Sequence, residues 1–199
     1  MEKGDALLIV DVQNDFCPGG ALAVNSGDEV VPVLNNWIGQ ARKSGIPVYA
    51  SRDWHPKVTK HFKQFGGLWP VHCVKKTKGA KFHPKLRLPA SSIVLSKGMD
   101  PGKDSYSAFQ AIDKNGNDFV DILHQRNIKE LFIGGLATDY CVKSSALDAL
   151  KTGFDVKLLT DAIKGVNINK DDSKNAIKEM VKEGAQQITL KQLLETHKV

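Results

Sequence analysis

The sequence predicts a three-layer α/β/α protein with a mainly parallel sheet of about six strands. Short continuous apolar runs such as Ala6–Val10 are typical of strands that are covered on both faces. These runs alternate along the chain with amphipathic helical segments, and this alternation favours parallel strands joined by helices. The length of 199 residues suits one domain over 1–199 with a substantial core.

Hydrophobic periodicity places the elements along the chain. Six strands are predicted, in order at Ala6–Val10, Ile46–Ser51, Ile93–Leu95, Glu130–Gly134, Asp155–Leu159 and Gln187–Leu190. Helices are predicted over Asp28–Lys43, Asp118–Gln125, Cys141–Lys151, Asp171–Lys182 and, for a turn or two, Leu190–His197. In the first helix, Asp28 is a suitable N-terminal cap and Gly45 lies just beyond the C-terminus.

Two long stretches, at about Trp54–Pro89 and at Lys97–Asn117, lack a periodic pattern. The first is rich in Gly, Pro, His and Lys, and the second carries a turn at Asp100-Pro-Gly102. An irregular stretch as long as the first one is usually functional when it lies inside a compact domain.

Composition excludes several classes of protein. No apolar run approaches the roughly 20 residues of a membrane span, and the N-terminus has no signal-peptide pattern. The three cysteines, Cys17, Cys73 and Cys141, cannot all pair with one another, so free thiols in the cytoplasm are expected. The formal net charge is +6, but the lysine runs lack aromatic interleaving. We therefore expect a solvated basic surface, with no nucleic-acid or membrane partner.

Chemically useful residues follow four of the predicted strands. In parallel α/β sheets, sites form beyond the carboxyl ends of the strands. This rule selects Asp11 after the first strand, Asp53 and His55 after the second, Lys97 after the third and Cys141 after the fourth. Asp11 alone is most simply a turn residue and Lys97 alone a solvated lysine, whereas the shared placement of the residues predicts one site.

The segment Gly134–Leu150 reads as a buried strand, a tight turn and a helix that starts at Cys141. Free N–H groups and the helix dipole favour a thiolate at such a position, and the same N–H groups could hold an oxyanion. With Asp11 to accept and return a proton and Lys97 as a cation, Cys141 completes a set for acyl transfer. A buried cysteine that only packs is the alternative.

The pattern Asp53-Trp54-His55 places a carboxylate and an imidazole on the same side of an extended chain. His61 and His72 could add nitrogen ligands from the loop, and mixed nitrogen and oxygen ligands suit Zn²⁺, Mn²⁺ or Fe²⁺. The alternative is that these histidines lie on the surface of a polar loop. Four aromatic residues could wall a flat aromatic substrate or belong to the core: Phe16, Trp54, Trp69 and Tyr106.

Five motifs follow one another along the chain, at Asp11-Val-Gln-Asn-Asp-Phe16 with Pro18-Gly-Gly-Ala-Leu22, Arg52-Asp-Trp-His-Pro56 with His61-Phe62, Trp69-Pro-Val-His-Cys-Val74, Ser96-Lys-Gly98 and Gly135-Leu-Ala-Thr-Asp-Tyr-Cys-Val142. In type and order they resemble the motifs of the nicotinamidases (pyrazinamidases) in the isochorismatase-like hydrolase superfamily. The second and third motifs point to these metal-containing enzymes rather than to metal-free relatives. The resemblance covers nearly the whole chain, and Gly98–Ser105 fits it least well.

The resemblance implies a cysteine amidohydrolase that converts nicotinamide to nicotinate and ammonia in NAD salvage, and that also deamidates pyrazinamide. Cys141 would be the nucleophile that forms a thioester, Asp11 the general base and then acid, and Lys97 their cationic partner. The backbone N–H groups of Ala137 and Cys141 would form the oxyanion hole, with a cis peptide bond at Leu136–Ala137.

The resemblance also implies one divalent metal ion, with zinc the first choice and manganese or iron as alternatives. Its ligands would be Asp53, His55 and His72; His61 is a ligand in some members of the family and not in others. The metal would contact the pyridine nitrogen and so orient the substrate. Phe16 and Trp69 would sandwich the ring, and Tyr106 would line the pocket.

Three other functions are compatible with parts of the sequence. A metal-free hydrolase of the same superfamily would share the cysteine site without needing the histidines. A non-catalytic module could use Cys141 to sense oxidants. A basic protein could bind nucleic acid in a salt-dependent way. Whether the chain is a monomer or a homo-oligomer is left open.

Overall fold

A six-stranded sheet lies at the centre of the structure, a computed structural model that describes residues 1–196. The strand order is β3-β2-β1-β4-β5-β6, and every neighbouring pair is parallel. The strands are β1 (Asp5–Val10), β2 (Val48–Asp53), β3 (Ile93–Lys97), β4 (Glu130–Leu136), β5 (Asp155–Lys164) and β6 (Gln186–Ile188). This arrangement confirms the predicted parallel α/β sheet.

Helices cover both faces of the sheet. They are α1 (Val30–Lys43), α2 (Phe119–Gln125), α3 (Lys143–Lys151), α4 (Asp172–Lys182) and α5 (Leu190–Thr196). Alternate residues of β1 point to opposite layers: Leu7 and Ile9 pack in one buried cluster with α1, and Leu8 and Val10 in another with α2 and α3. The predicted three layers are therefore present, and β1 is buried on both sides.

Element boundaries differ from the predictions where turns intervene. The predicted cap at Asp28 is wrong, because this residue lies in a 3₁₀ turn over Gly27–Glu29 that precedes α1, and no side chain caps the helix. Gly45 adopts a positive φ of 68° after α1, as a residue ending a helix should. β2 and β3 each run two residues further than predicted, to Asp53 and Lys97. Of the predicted turn at the end of the chain, His197 lies outside the described residues.

The irregular stretch between β2 and β3 is attached to the carboxyl end of β1. The segment after β1 pairs with a later part of this stretch through a bridge between Gln13 and Phe82. Backbone bonds from Asn14 N–H to the Lys81 carbonyl (2.9 Å) and from Asp15 N–H to the Gly79 carbonyl (3.1 Å) extend the pairing. The loop is thereby held against the edge of the sheet where the site residues lie.

The lysine run, the cysteines and the helices can be compared with what the composition predicts. The lysine run over residues 75–78 is exposed. The three cysteines are buried and form no disulfide. Within residues 1–196, no helix combines the length and the apolar character that crossing a bilayer requires.

Candidate active site

Four of the sequence-predicted residues meet at the carboxyl edge of the sheet. Asp53 and Lys97 are the last residues of β2 and β3, where they are register partners. Asp11 follows β1 in a left-handed conformation (φ 49°), which turns the chain away from the sheet. Cys141 lies in the turn that follows β4. All four side chains are buried. The four residues lie together at one edge of the sheet, which is the placement that the rule for strand ends predicts.

Lys97 lies at the centre of this group. Its Nζ is 2.9 Å from Asp11 Oδ2 and 3.5 Å from Cys141 Sγ, and it also contacts Asp53 Oδ1. The Ser105 carbonyl accepts a further bond from Nζ at 3.3 Å. The ammonium group therefore lies between two carboxylates and a sulfur atom, in a region without solvent exposure.

The buried charges set the protonation states of the group. Burial lowers the pKa of Lys97, but the carboxylates of Asp11 and Asp53 outweigh this effect and raise that pKa well above its usual value. Burial acts to raise the pKa of Asp53, but Lys97 together with hydrogen bonds from His55 and His72 outweighs burial and holds that pKa well below its usual value. For Asp11, burial outweighs the effect of Lys97 and raises the pKa of this carboxyl. Asp11 is thus the more basic of the two carboxylates.

Cys141 differs in two ways from the sequence-based expectation. It lies within a π-helical turn over Thr138–Val142, and α3 begins only at Lys143, so the predicted helix start at Cys141 is wrong. The expected ionised thiol is not favoured either, because burial and the nearby carboxylates raise the pKa of Cys141 well above its usual value despite Lys97. A thiol with a raised pKa needs a base to accept its proton as it reacts, and the Asp11 carboxylate lies in the same group.

Three histidines form a second group beside the first. One ring nitrogen from each of His55, His61 and His72 lies within 4.8 Å of the others, and all three residues are buried. Asp53 joins this group, since its Oδ2 lies 3.6 Å from His55 Nε2 and 3.8 Å from His72 Nε2. The backbone of His55 pairs with residues 73–75, which brings His72 to the end of β2.

The second ring nitrogen of each histidine is held from outside the group. His55 Nδ1 lies 2.9 Å from the Gly98 carbonyl, and His72 Nδ1 lies 2.8 Å from the Pro70 carbonyl. His61 Nδ1 lies 2.6 Å from Asp104 Oδ1. Metal-binding histidines are oriented in this way, with the free nitrogen directed at the ion. The inward Nε2 of His55 is buried without a hydrogen-bond partner. The donor set therefore fits a divalent cation.

A cavity that is open to solvent borders both groups, with about 360 Å³ of space including its mouth. The predicted aromatic residues Phe16, Trp69 and Tyr106 line it, and Trp69 Nε1 donates to Tyr106 Oη at 2.9 Å. Trp54 is not among the lining residues and packs against the Arg52 guanidinium, 3.7 Å from the ring centre. The other lining residues are Leu22, Asp53, His61, His72, Ala137, Tyr140, Cys141 and Val166.

Sequence reasoning did not select four buried polar residues that hold the site together. Asp139, in the turn that contains Cys141, accepts bonds from Val166 N–H (2.9 Å) and Asn167 N–H (2.7 Å), and so positions one wall of the cavity. The other three are Gln13, Ser51 and Ser145. Gln13 and Asp139 lie in the first and last of the five sequence motifs, but the motif sequences do not indicate which distant atoms these side chains contact.

Comparison with known proteins is consistent with this geometry. Residues 5–192 match the model of the isochorismatase domain family. The chain belongs to the isochorismatase family. The three-layer fold is therefore shared with the solved structure described below. A cis peptide bond at Leu136–Ala137 immediately precedes the turn that contains Cys141.

Relatives within the isochorismatase family include amidohydrolases. The chain is 44% identical to a nicotinamidase of Escherichia coli (96% of this chain, 97% of the relative). It is 39% identical to a nicotinamidase/pyrazinamidase of Mycobacterium tuberculosis (88% and 93%). Among solved structures, a pyrazinamidase of Pyrococcus horikoshii in complex with zinc is similar, with 42% identity, a TM-score of 0.87 and coverage of 94% and 99%.

Proposed function

We propose that this protein is a nicotinamidase that hydrolyses nicotinamide to nicotinate and ammonia through a thioester on Cys141, and that also deamidates pyrazinamide. One observation carries the proposal: the cysteine group and the histidine group share Asp53 and border the same cavity. The nicotinamidase relatives, similar over nearly the whole chain, support the choice of substrate. The activity places the enzyme in NAD salvage.

The cavity suits a single flat aromatic ring. Phe16, Trp69 and Tyr106 supply aromatic surfaces, and the Trp69–Tyr106 hydrogen bond fixes two of them. Cys141 and Ala137 line the same space, so a carboxamide on the ring would lie against the sulfur and the adjoining backbone. The shape and the lining therefore favour small aryl amides over long or charged amides.

In the first half of the reaction, Cys141 transfers its proton to Asp11 as the sulfur bonds to the carboxamide carbon. The electron pair of the C=O bond moves to oxygen, and the N–H groups of Ala137 and Cys141 hold the resulting oxyanion. When the C–N bond breaks, Asp11 returns the proton to nitrogen and ammonia leaves. The raised pKa of Asp11 suits both transfers.

In the second half, Asp11 takes a proton from a water molecule as the water oxygen bonds to the thioester carbon. The C–S bond then breaks, the sulfur regains a proton from Asp11, and nicotinic acid is released and ionises. Lys97, 2.9 Å from Asp11 and 3.5 Å from Cys141, stabilises whichever of the two carries negative charge. Because Lys97 is buried, its charge is not screened by water.

One divalent metal ion would be held by Asp53, His55 and His72, with His61 as a further ligand. When bound, it would coordinate the ring nitrogen and so orient the amide toward the sulfur. Zinc is the first choice because mixed nitrogen and oxygen ligands suit it and because the similar pyrazinamidase of Pyrococcus horikoshii was solved with zinc; manganese and iron are the alternatives.

Hydrolysis of nicotinamide by the purified, zinc-loaded protein tests the proposal. Nicotinate and ammonia are expected in equal amounts, and Cys141→Ala is the matched inactive control. Absence of ammonia release by the zinc-loaded protein would overturn the proposal. Nicotinamide hydrolysis that is undiminished after complete chelation would instead assign the chain to the metal-free hydrolases of the family.

We also propose that 1–199 acts as a single domain in the cytoplasm. The family match over 5–192 and the three free thiols support these assignments. Limited proteolysis that released a stable fragment retaining only one of the two groups of site residues would contradict the single domain.

A further inference from the structure

Gln13 is a buried side chain whose carboxamide bridges two distant parts of the chain. It has no solvent exposure. Its Nε2 donates to the Asp53 carbonyl and to the Ala80 carbonyl, both at 2.9 Å. Its Oε1 accepts from the Asp53 N–H at 2.7 Å. Both N–H groups and the oxygen of the amide are thus engaged, two of these bonds with the same residue.

The Gln13 amide binds the backbone of Asp53 at the end of β2, where β1 no longer runs alongside. On one side, Asp53 pairs with Lys97 of β3. On the other, the pairing of β2 with β1 ends at Ala50, apart from a bond from Asp11 N–H to the Ser51 carbonyl, because the chain turns away at Asp11. The N–H and carbonyl of Asp53 would be buried without partners there. Gln13 binds both groups.

Asp53 is the residue that the two groups of the site share. Its Oδ1 contacts Lys97, and its Oδ2 faces His55 and His72. A small shift of the backbone at the end of β2 would change both sets of contacts at once. The hydrogen bonds from the Gln13 amide to the Asp53 backbone therefore fix a residue that contacts both groups of the site.

We propose that Gln13 is a positioning residue that sets the affinity of the histidine group for its metal ion by fixing the backbone of Asp53. The inference rests on the proposed function to the extent that Asp53 is a metal ligand. Gln13 touches neither the metal ligands' free nitrogens nor the cavity. It acts only through Asp53.

The test is the zinc dissociation constant, measured on the full-length protein by competition with a chromogenic chelator. Gln13→Met keeps the length of the side chain and removes all three bonds, and it is expected to weaken zinc binding about 10- to 100-fold, as for other residues that support metal ligands. Gln13→Asn keeps the amide but is one methylene shorter, so it cannot bind both groups of Asp53 and is expected to weaken zinc binding in the same direction. Should Gln13→Met fail to fold, Gln13→Asn decides the question.

Met180→Ala is the matched control. This core residue of α4 is fully buried, and its truncation lowers stability. It belongs neither to the histidine group nor to the residues that line the cavity. The proposal requires zinc affinity to stay unchanged in Met180→Ala while it falls in the Gln13 variants. Wild-type affinity in both folded Gln13 variants, or an equal loss in Met180→Ala, would overturn it. Because zinc binding is measured without nicotinamide, absence of amidase activity in the wild type would leave this result interpretable.

Discussion

The cysteine side and the histidine side of the cavity are built in different ways. On the cysteine side, Asp11, Lys97 and Cys141 follow or end parallel strands and are tied together by buried charge. On the histidine side, the three imidazoles come from the irregular stretch after β2, and each is oriented by an oxygen atom outside the group. Under the proposed function, the sheet would fix the reacting atoms and the loop would supply substrate recognition.

Removing the nucleophile should affect one side alone. Cys141→Ala is expected to lower kcat on nicotinamide by at least about 1,000-fold, because the residues that line the cavity include no second thiol to form the thioester. Zinc content should stay at the wild-type level, since Cys141 is not part of the histidine group. Steady-state kinetics and elemental analysis of the same sample measure both quantities. Appreciable turnover in this variant would remove Cys141 from its role.

Removing the central cation should destabilise the cysteine side. Lys97→Met leaves Asp11 and Asp53 buried without their partner, which is expected to lower the free energy of unfolding by about 3–5 kcal/mol. Urea unfolding of zinc-free protein measures this loss. Lys103→Met removes the exposed pair with Asp100 and should leave the free energy of unfolding unchanged. Similar values for the two variants would contradict the central role of Lys97.

Removing one imidazole should affect the histidine side. His55→Ala is expected to lose bound zinc at concentrations that saturate the wild type, because His55 Nε2 is buried with no other partner. His83→Ala is the control, since the residues that line the cavity do not include His83. Elemental analysis after dialysis distinguishes the two variants. Full zinc content in His55→Ala would place the metal elsewhere.

The smallest effect is expected at the edge of the histidine side. Asp104→Asn removes the charge that orients His61, and zinc affinity should fall about 10-fold if His61 is a ligand. Asp100→Asn, in the same loop, alters only local contacts with Gly102 and Lys103 and should have no effect. Equal zinc affinity in the two variants would exclude His61 from the ligand set.

The two sides also differ in how far the sequence could predict them. The apolar strands β1 and β4 identify the sheet, and the rule for strand ends selects Asp11, Lys97 and Cys141 without any knowledge of contacts. On the histidine side, the spacing of Asp53 and His55 is informative because both lie on extended chain. His61 and His72 reach the group through a loop path that has no periodic signal.

Two features could not be predicted because they depend on burial in three dimensions. The raised pKa of Cys141 follows from its seclusion beside Asp11 and Asp53, whereas the local sequence indicated only a helix start. The partners of Gln13 lie 40 and 67 residues away along the chain, so no local pattern contains them. Both features are long-range consequences of the parallel topology.

The comparison of nicotinamide with benzamide, which lacks the ring nitrogen, tests the division between the two sides most directly. The zinc-loaded enzyme is expected to prefer nicotinamide in kcat/KM by at least about 100-fold. Complete chelation should reduce activity on nicotinamide toward that on benzamide, leave benzamide hydrolysis unchanged, and be reversed by added zinc. A preference for nicotinamide that is the same with and without zinc would contradict the account.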